Sequence, residues 1–222
     1  MKKFAVIVAG GSGSRMGTDM PKQFLSLQGK PILQRSLEVF ANTFPDIHFI
    51  VVLPEKYFNE GKLSANNSGI SIPASFVSGG ATRFESVRNG LAKVEKNSIV
   101  FVHDAVRCLV SRDLIERCYY QAVDKGSAIP AIEVKDSLRM VLSGRTEVID
   151  RTKIRSIQTP QTFQSDILLA AFSQPYHESF TDEATVVESY GQAIHLIPGE
   201  EHNIKITSPI DLQIAEKILE GN

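Results

Sequence analysis

A glycine-rich, cationic stretch near the start of the chain carries the residue types that a polyphosphate site needs. It runs from Ala9 to Lys22, AGGSGSRMGTDMPK, and follows the apolar run Phe4–Val8, which is typical of a buried parallel strand. Its glycines leave backbone amides open to an anion. Arg15 can fork onto phosphate oxygens, and Lys22 adds a point charge. The stretch therefore predicts a polyphosphate-binding loop after the first strand.

Two familiar phosphate-binding patterns do not fit this stretch. The segment Gly11–Gly17 has one residue too many for the dinucleotide-binding fingerprint, and no Gly-Lys-Ser/Thr closes the loop as in a P-loop. A glycine-rich turn is a weak signal by itself. A tight turn with solvated charges therefore stays open as the alternative.

A carboxylate that follows a later predicted strand is a candidate metal ligand. Asp104 lies at the end of the strand that begins at Ser98, and ligands of open parallel sheets bind at the carboxyl ends of strands. Mg²⁺ prefers one or two carboxylates together with substrate phosphates, whereas an ion pair of Asp104 with Arg107 is the alternative. Lys205, in an apolar segment, needs an anionic partner if it is buried. Arg83 is either a phosphate ligand or a solvated helix charge. These charges suit displacement at phosphorus.

The composition limits the class of protein. The chain has 222 residues, of which 42% are hydrophobic and 22% charged, as in globular domains. A formal net charge of −1 argues against a nucleic-acid partner. No apolar run approaches the roughly 20 residues that span a bilayer, and the N-terminus lacks a signal-peptide pattern, so we expect no membrane partner and a cytoplasmic location. Two cysteines make neither a disulfide framework nor a metal site.

Strand and helix patterns alternate along the chain. Four such alternations predict a single α/β domain over residues 1–222, a Rossmann-like, mostly parallel sheet with helices on both faces. The predicted strands cover residues 4–8, 47–53, 71–77, 98–102, 128–134, 193–197 and 204–207. The predicted helices cover residues 30–44, around 84–94, 112–125, 165–172, a segment that starts with Thr181 as its cap, and about 208–219. Residues 55–69 stay ambiguous.

Residues 135–155 interrupt this alternation. Leu138, Met140 and Leu142 lie on one face of an extended segment, and Ser143–Gly144 predicts a turn, so the segment is expected to form a protruding β-hairpin arm. A two-stranded hairpin is marginally stable by itself. The arm must therefore pack on a partner subunit or on the parent domain, and the sequence pattern leaves both open.

Five blocks of the sequence resemble a known enzyme family. They are residues 9–17 with 21–24, 103–107, 158–161, 181–184 and 203–205. The first resembles the signature loop of sugar-phosphate nucleotidyltransferases. Together the blocks resemble the 2-C-methyl-D-erythritol 4-phosphate cytidylyltransferases of the non-mevalonate isoprenoid pathway. The resemblance implies a Mg²⁺-dependent reaction of CTP with methylerythritol phosphate, by direct attack of the substrate phosphate on the α-phosphorus, to give 4-diphosphocytidyl-2-C-methyl-D-erythritol and pyrophosphate.

The resemblance also implies roles for individual residues. Arg15 and Lys22 would stabilise the charge of the transition state, and Lys205 would neutralise phosphate charge. The nucleotide would be bound by Ala9, Gly10, Gly11, Gly80, Ser86, Asp104 and Ala105, with Gly80 and Ser86 on the cytosine and Asp104 also on magnesium. Methylerythritol phosphate would be bound by Arg151, Thr159 and Thr181. In the family the arm pairs two subunits and brings the arginine at the position of Arg151 into the neighbouring site, so a homodimer through residues 135–155 is expected.

Three positions depart from the family pattern, and two rival functions remain. Cys108 replaces a proline found in many members, Ala81 an acidic residue of some members, and His202 an aspartate of others. One rival is a ribitol 5-phosphate cytidylyltransferase, against which residues 149–151 and 181–184 argue. The other is an inert nucleotide-binding protein on the same fold, which would not need four charged groups around one pocket.

Overall fold

The description of the fold rests on a computed structural model that covers residues 1–10, 20–70 and 74–221. The predicted loop residues Gly11 and Arg15 lie outside the described residues, as does the start of the strand predicted at 71–77. Among the described residues, no helix combines the length and the apolar character needed to cross a membrane.

Strands and helices follow one another along most of the described chain. The strands are β1 (Lys2–Val8), β2 (Ser26–Leu27), β3 (Lys30–Pro31), β4 (His48–Leu53), β5 (Ser75–Ser78), β6 (Ser98–Asp104), β7 (Ser127–Glu133), β8 (Leu138–Leu142), β9 (Arg145–Ile149), β10 (Arg155–Ile157), β11 (Gln161–Gln164) and β12 (Leu196–Pro198). The α-helices are α1 (Ile32–Thr43), α2 (Phe58–Asn66), α3 (Arg83–Leu91), α4 (Arg112–Lys125), α5 (Ser165–Ala171), α6 (Glu183–Ser189) and α7 (Pro209–Glu220). Short 3₁₀ helices cover Lys22–Phe24, Glu55–Tyr57 and Arg151–Lys153.

The central sheet has the strand order β10-β7-β11-β6-β1-β4-β5, with β12 also paired to β7. Strand β1 runs parallel to both β4 and β6, and Val8 is in register with Val52 and with Asp104. Strand β11 is antiparallel and lies between β6 and β7. The prediction of a mostly parallel sheet with helices on both faces is therefore confirmed, and the carboxyl ends of three central strands meet at one edge.

Alternate residues of the central strands belong to two hydrophobic cores, one on each face of the sheet. Ala5 and Ile7 of β1 face the core beneath α1, α2 and α4, whereas Phe4 and Val6 face the core beneath α3, α5 and α6. Such strands are apolar on both faces, which is why their sequences read as continuous hydrophobic runs. A smaller cluster joins α7 to the end of this assembly through Ile206 and Ala215.

Several predicted boundaries are wrong for identifiable physical reasons. Residues 204–207 form no strand, because their backbone meets the loop after β6 through the bond from Ile206 N–H to the Val106 carbonyl rather than through a ladder. The cap of α6 is Asp182 rather than Thr181, since the Asp182 carboxylate accepts from the Thr185 N–H at 2.9 Å in a capping box. The ambiguous segment 55–69 contains α2.

Strands β10 and β11 were not predicted. Strand β11 has the sequence Gln-Thr-Phe-Gln, which shows no apolar periodicity although its first three residues are buried. Gln161 is satisfied there by side-chain bonds to Asp182 and to the Ala184 N–H, each of 2.8 Å. Burial that depends on a distant hydrogen-bond partner leaves no signal in hydropathy.

The predicted hairpin is present as β8 and β9, which form a separate two-stranded sheet. Leu138 pairs with Ile149 at one end and Leu142 with Arg145 at the other. Val141 and Val148 are 80% and 75% exposed. The arm thus presents apolar side chains to solvent in the single chain.

Helix α3 packs unusually close to the sheet at one glycine. A Cβ added at Gly90 would lie 2.8 Å from Val6 Cγ1 and 2.9 Å from Val52 Cγ2, closer than real Cβ atoms approach carbon. The helix start is fixed by a capping box of Thr82 and Glu85. These two constraints hold α3 against β1 and β4.

We predict that Gly90→Ala lowers the free energy of unfolding by about 1–3 kcal/mol, because overpacking outweighs the better helix propensity of alanine. Urea unfolding measures the change. Gly221→Ala is the matched control, since its added methyl group makes only ordinary contacts, at 3.7 Å or more. Equal or greater stability of Gly90→Ala would contradict the close packing.

Candidate active site

A cavity of about 310 Å³ opens at the carboxyl ends of β1 and β6. It is lined by Val8, Ala9, Gly10, Lys22, Gln23, Gly80, Ala81, Thr82, Arg83, Ser86, Asp104, Val106 and Lys205. Seven residues of the predicted site are therefore brought together: Ala9, Gly10, Lys22, Gly80, Ser86, Asp104 and Lys205. A larger cavity of about 710 Å³, between α1 and α7, contains none of the predicted site residues, so we locate the candidate site in the smaller one.

Asp104, the last residue of β6, is the centre of the charges in this cavity. Its carboxylate is 10% exposed and contacts three cations: Lys205 Nζ at 2.8 Å and Arg107 Nε at 3.7 Å from Oδ2, and Arg83 Nη2 at 3.2 Å from Oδ1. Burial alone would raise the pKa of Asp104, but the charges of Arg83 and Lys205 outweigh burial and hold that pKa well below its usual range. Asp104 is therefore ionised. The ion pair with Arg107 that the sequence left open exists and is the longest of the three.

Arg83 lines the cavity and is not a solvated helix charge, because it pairs with two carboxylates. From the first residue of α3 its guanidinium bridges Asp104 and the carboxylate of Glu183 at the start of α6. Glu183 is fully buried, and no role at the site was predicted for it. One signal was available: Glu183 shares a helix face with Val186 and Val187, the spacing of core residues.

Lys205 reaches the cavity from an irregular segment, not from the predicted strand. Its side chain is 43% exposed, and Asp104 is the anionic partner that the sequence required. The segment is fixed by neighbouring bonds, because Arg107 Nη1 donates to the Asn203 carbonyl at 2.8 Å and Asn203 Nδ2 donates to the Thr159 carbonyl at 2.9 Å. The backbone next to Lys205 is therefore fixed by bonds that do not involve its ammonium group.

The backbone beside β1 is fixed by a buried glutamine. Gln23 Nε2 donates to the Ala9 carbonyl at 2.7 Å, and the Ala9 N–H donates to the Val52 carbonyl at 2.8 Å. The short 3₁₀ helix that begins at Lys22 is thereby held next to the end of β1, with Lys22 at the cavity.

Gly80 and Ser86 form a hydrogen-bonded corner of the cavity. The Gly80 N–H donates to Ser86 Oγ at 3.0 Å, and that hydroxyl donates to the Thr82 carbonyl at 2.9 Å. A Cβ at Gly80 would lie 2.3 Å from Glu85 Cβ, so only glycine fits there. Their predicted contact with cytosine stays a prediction.

Thr159 and Ala105 take part in hydrogen bonds that fix the backbone at Asp104. Thr159 Oγ1 accepts from the Asp104 N–H at 3.1 Å and bonds to His103 Nδ1 at 2.9 Å. Burial lowers the pKa of His103 to about 3, so the ring is neutral near pH 7. The Ala105 N–H donates to the Val8 carbonyl, and the Ala105 carbonyl accepts from Ser36 Oγ at 2.7 Å. Neither residue lines the cavity, and their predicted ligand contacts stay predictions.

Arg151 and Thr181 lie outside the cavity. Arg151 is exposed at the base of the arm, where Nη1 donates to the Lys135 carbonyl. Thr181 is exposed just before α6. The single chain thus does not bring these two predicted substrate ligands to the cavity that contains Asp104.

The carboxylates at this cavity limit how it could hold a metal ion. Within residues 1–10, 20–70 and 74–221, no group of three or more His, Cys, Asp or Glu side chains could hold a metal ion. Asp104 offers a single ionised carboxylate, which matches the preference of Mg²⁺ for one or two carboxylates supplemented by phosphate oxygens and water.

Comparison with known proteins identifies the relatives of this chain. The family model described as IspD, 2-C-methyl-D-erythritol 4-phosphate cytidylyltransferase, matches residues 4–221. A relative of that name from Bacteroides fragilis is 41% identical over 219 residues, which cover 99% of this chain and 100% of the relative. A second, from Porphyromonas gingivalis, is 43% identical over 220 residues and 98% of each chain.

Solved structures agree with the sequence comparison. A crystal structure of a 4-diphosphocytidyl-2C-methyl-D-erythritol synthase superposes with a TM-score of 0.80 at 30% identity, covering 98% of both chains. The 2-C-methyl-D-erythritol 4-phosphate cytidylyltransferase of Thermus thermophilus gives a TM-score of 0.77 at 30% identity, covering 99% of this chain and 100% of the other.

We predict that Asp104→Asn flattens the acid limb of the stability curve. The pKa of Asp104 lies below its ordinary value of 3.8 in the folded state. Its contribution to stability is therefore present above pH 3.8 and is lost progressively as the pH falls from there to the folded-state pKa. Below about pH 4, the free energy of unfolding of the variant should therefore fall less steeply with decreasing pH than that of the wild type. The difference in slope should be up to about 1.4 kcal/mol per pH unit. Urea unfolding at each pH measures this slope.

Asp124→Asn, which removes an exposed carboxylate of α4, is the matched control. An unchanged slope in Asp104→Asn would mean that the three cations do not hold Asp104 ionised.

Proposed function

We propose that this chain, which belongs to the 2-C-methyl-D-erythritol 4-phosphate cytidylyltransferase family, joins CTP and 2-C-methyl-D-erythritol 4-phosphate to give 4-diphosphocytidyl-2-C-methyl-D-erythritol and pyrophosphate. The observation that carries the proposal is the family match over residues 4–221 together with a cavity that gathers Lys22, Asp104 and Lys205. The names of the full-length relatives favour this reaction over ribitol 5-phosphate transfer and over an inert nucleotide-binding protein.

The nucleotide would lie in the cavity with its phosphates toward Asp104. Asp104 would hold a magnesium ion, which would neutralise phosphate charge there. Lys205 is an ammonium on a flexible stem with a half-exposed side chain, so it can leave Asp104 for a phosphate oxygen. Gly80 and Ser86, which also line the cavity, would receive the cytosine.

The reaction would be a direct displacement at phosphorus. A phosphate oxygen of the acceptor attacks the α-phosphorus of CTP, a new P–O bond forms, and the bond to the β-phosphate breaks with release of pyrophosphate. Lys22 and Arg15 would stabilise the charge of the transition state. A covalent intermediate on cysteine is disfavoured, because burial raises the pKa of both Cys108 and Cys118 to about 12 and keeps the thiols protonated.

The acceptor site would be completed by a second copy of the chain. Arg151 and Thr181 do not line the cavity of their own chain, whereas the arm that precedes Arg151 exposes Val141 and Val148. An exposed apolar arm is better explained by pairing with another subunit than by packing on its parent domain. We infer a homodimer through residues 135–155 in which Arg151 reaches the neighbouring site and Thr159 and Thr181 complete it. The cytoplasmic location and the lack of a nucleic-acid partner stay predictions.

Pyrophosphate release by the purified protein with CTP and Mg²⁺ tests the reaction. We expect release with methylerythritol phosphate and little with ribitol 5-phosphate, because the segments after the arm match the methylerythritol family. Release with ribitol 5-phosphate alone would support the rival enzyme. Binding of CTP without release from either acceptor would support the inert nucleotide-binding protein.

We predict that Lys22→Ala and Arg151→Ala are each inactive but complement one another when their subunits are mixed. In a heterodimer, one site combines an intact Lys22 with an intact Arg151 from the other subunit, so random exchange should restore about a quarter of the wild-type sites. Pyrophosphate release after subunit exchange measures the recovery.

The control mixture pairs Lys22→Ala with the double variant Lys22→Ala/Arg151→Ala, which offers no complete site. If the first mixture stays inactive although exchange is demonstrated by mass spectrometry, Arg151 does not act across the dimer.

A further inference from the structure

A chain of charges continues from the candidate site into the start of α6. One oxygen of the Glu183 carboxylate accepts from Arg83 Nη1, and Arg83 Nη2 lies 3.2 Å from Asp104 Oδ1. Glu183 is fully buried, and its other oxygen, Oε2, has no hydrogen-bond partner among the described residues. A single guanidinium therefore joins a buried carboxylate to the carboxylate that faces the cavity.

The position of Glu183 limits what Arg83 can do to Asp104. A guanidinium binds a carboxylate most strongly when two nitrogens meet both oxygens. Glu183 takes Nη1, so the pair of terminal nitrogens is not available to Asp104, and Nη2 is the nitrogen that contacts Asp104, at Oδ1. Without Glu183, Arg83 Nη1 would lose this hydrogen-bond partner and could turn toward Asp104.

The two near cations of Asp104 differ in their freedom. Lys205 contacts Oδ2 through a half-exposed ammonium that can exchange partners. The Arg83 guanidinium is held by Glu183 at Nη1 and by Asp104 at Nη2, and the Arg83 side chain is mostly buried. Departure of Lys205 would therefore leave Oδ2 with the longer contact to Arg107 Nε, of 3.7 Å, while Arg83 keeps Oδ1 oriented.

Glu183 also sets the balance of charge around the cavity. Three cations contact Asp104, and Glu183 is the second carboxylate in this contact chain. Removing its charge would leave three cations against one carboxylate, which disfavours the approach of a further cation.

We propose that Glu183 is a positioning residue that holds Arg83 in a one-nitrogen contact with Asp104 and thereby keeps the Asp104 carboxylate available to a divalent metal ion. The inference rests on the proposed function, because it takes Asp104 as the metal ligand. Glu183 itself does not line the cavity, so it acts through Arg83.

Binding of Mn²⁺ in the presence of CTP, without an acceptor, tests the proposal by electron paramagnetic resonance. We expect Glu183→Gln, which keeps the shape but removes the charge, to raise the Kd of Mn²⁺ about tenfold. The double variant Arg83→Met/Glu183→Gln removes one charge of each sign. Its Kd should return to within about threefold of the wild type.

Glu38→Gln is the matched control, because it removes the carboxylate of a partly buried ion pair with Lys30 that does not contact Arg83 or Asp104. Thermal unfolding of each variant gives the folded fraction. If Glu183→Gln lowers the Tm but leaves the Kd per folded protein unchanged, Glu183 is structural only and the proposal is overturned. A double variant that binds Mn²⁺ as poorly as Glu183→Gln would overturn it as well.

Two further variants keep the outcome decisive. If Glu183→Gln does not fold, Glu183→Asp replaces it: the charge stays, but the shorter side chain releases Arg83 Nη1, so the Kd should still rise, and an unchanged Kd overturns the proposal. If Asp104→Asn binds Mn²⁺ with CTP as well as the wild type, Asp104 is not the metal ligand. That result would refute the metal site of the proposed function and, with it, this inference.

Discussion

The ionised carboxylate of Asp104 is the constraint on which the rest of the site depends. It is buried at the end of a central strand, where an uncompensated charge would be prohibitive. Its three cations come from separate parts of the chain: Arg83 from α3, Arg107 from the loop after β6, and Lys205 from the segment before α7. Neutralising one carboxylate therefore joins α3 and the segment before α7 to the end of β6, and the cavity forms where they meet.

Neutral groups fix the backbone of Asp104 and leave its carboxylate to the three cations. Thr159 accepts from the Asp104 amide, and the ring of His103 beside it carries no charge near pH 7. Asn203 links Thr159 to Arg107. The backbone of the site is thus held by dipoles, while its side-chain charges stay available to a ligand.

The sequence predicted the parts of the structure that hydropathy governs. β1 and β6 are apolar on both faces, and α4 was predicted at its observed bounds, Arg112–Lys125, because its apolar spacing is local. Asp104 and Lys205 were expected at one site and lie 2.8 Å apart.

What the sequence could not predict depends on partners far along the chain. β11 is buried through the hydrogen bonds of Gln161, which leave no apolar pattern. The helix face that Glu183 shares with Val186 indicates burial, but nothing local indicates its partner Arg83, which lies 100 residues away. The antiparallel direction of β11 has a further consequence, because Gln161 is in register with Val102 and Thr159 is thereby set beside Asp104 from the side of β6. Insertions or deletions within the hairpin would leave this register unchanged, because the pairing of β11 with β6 begins only after the hairpin. The arm can therefore change in length between relatives while the support of Asp104 stays where it is.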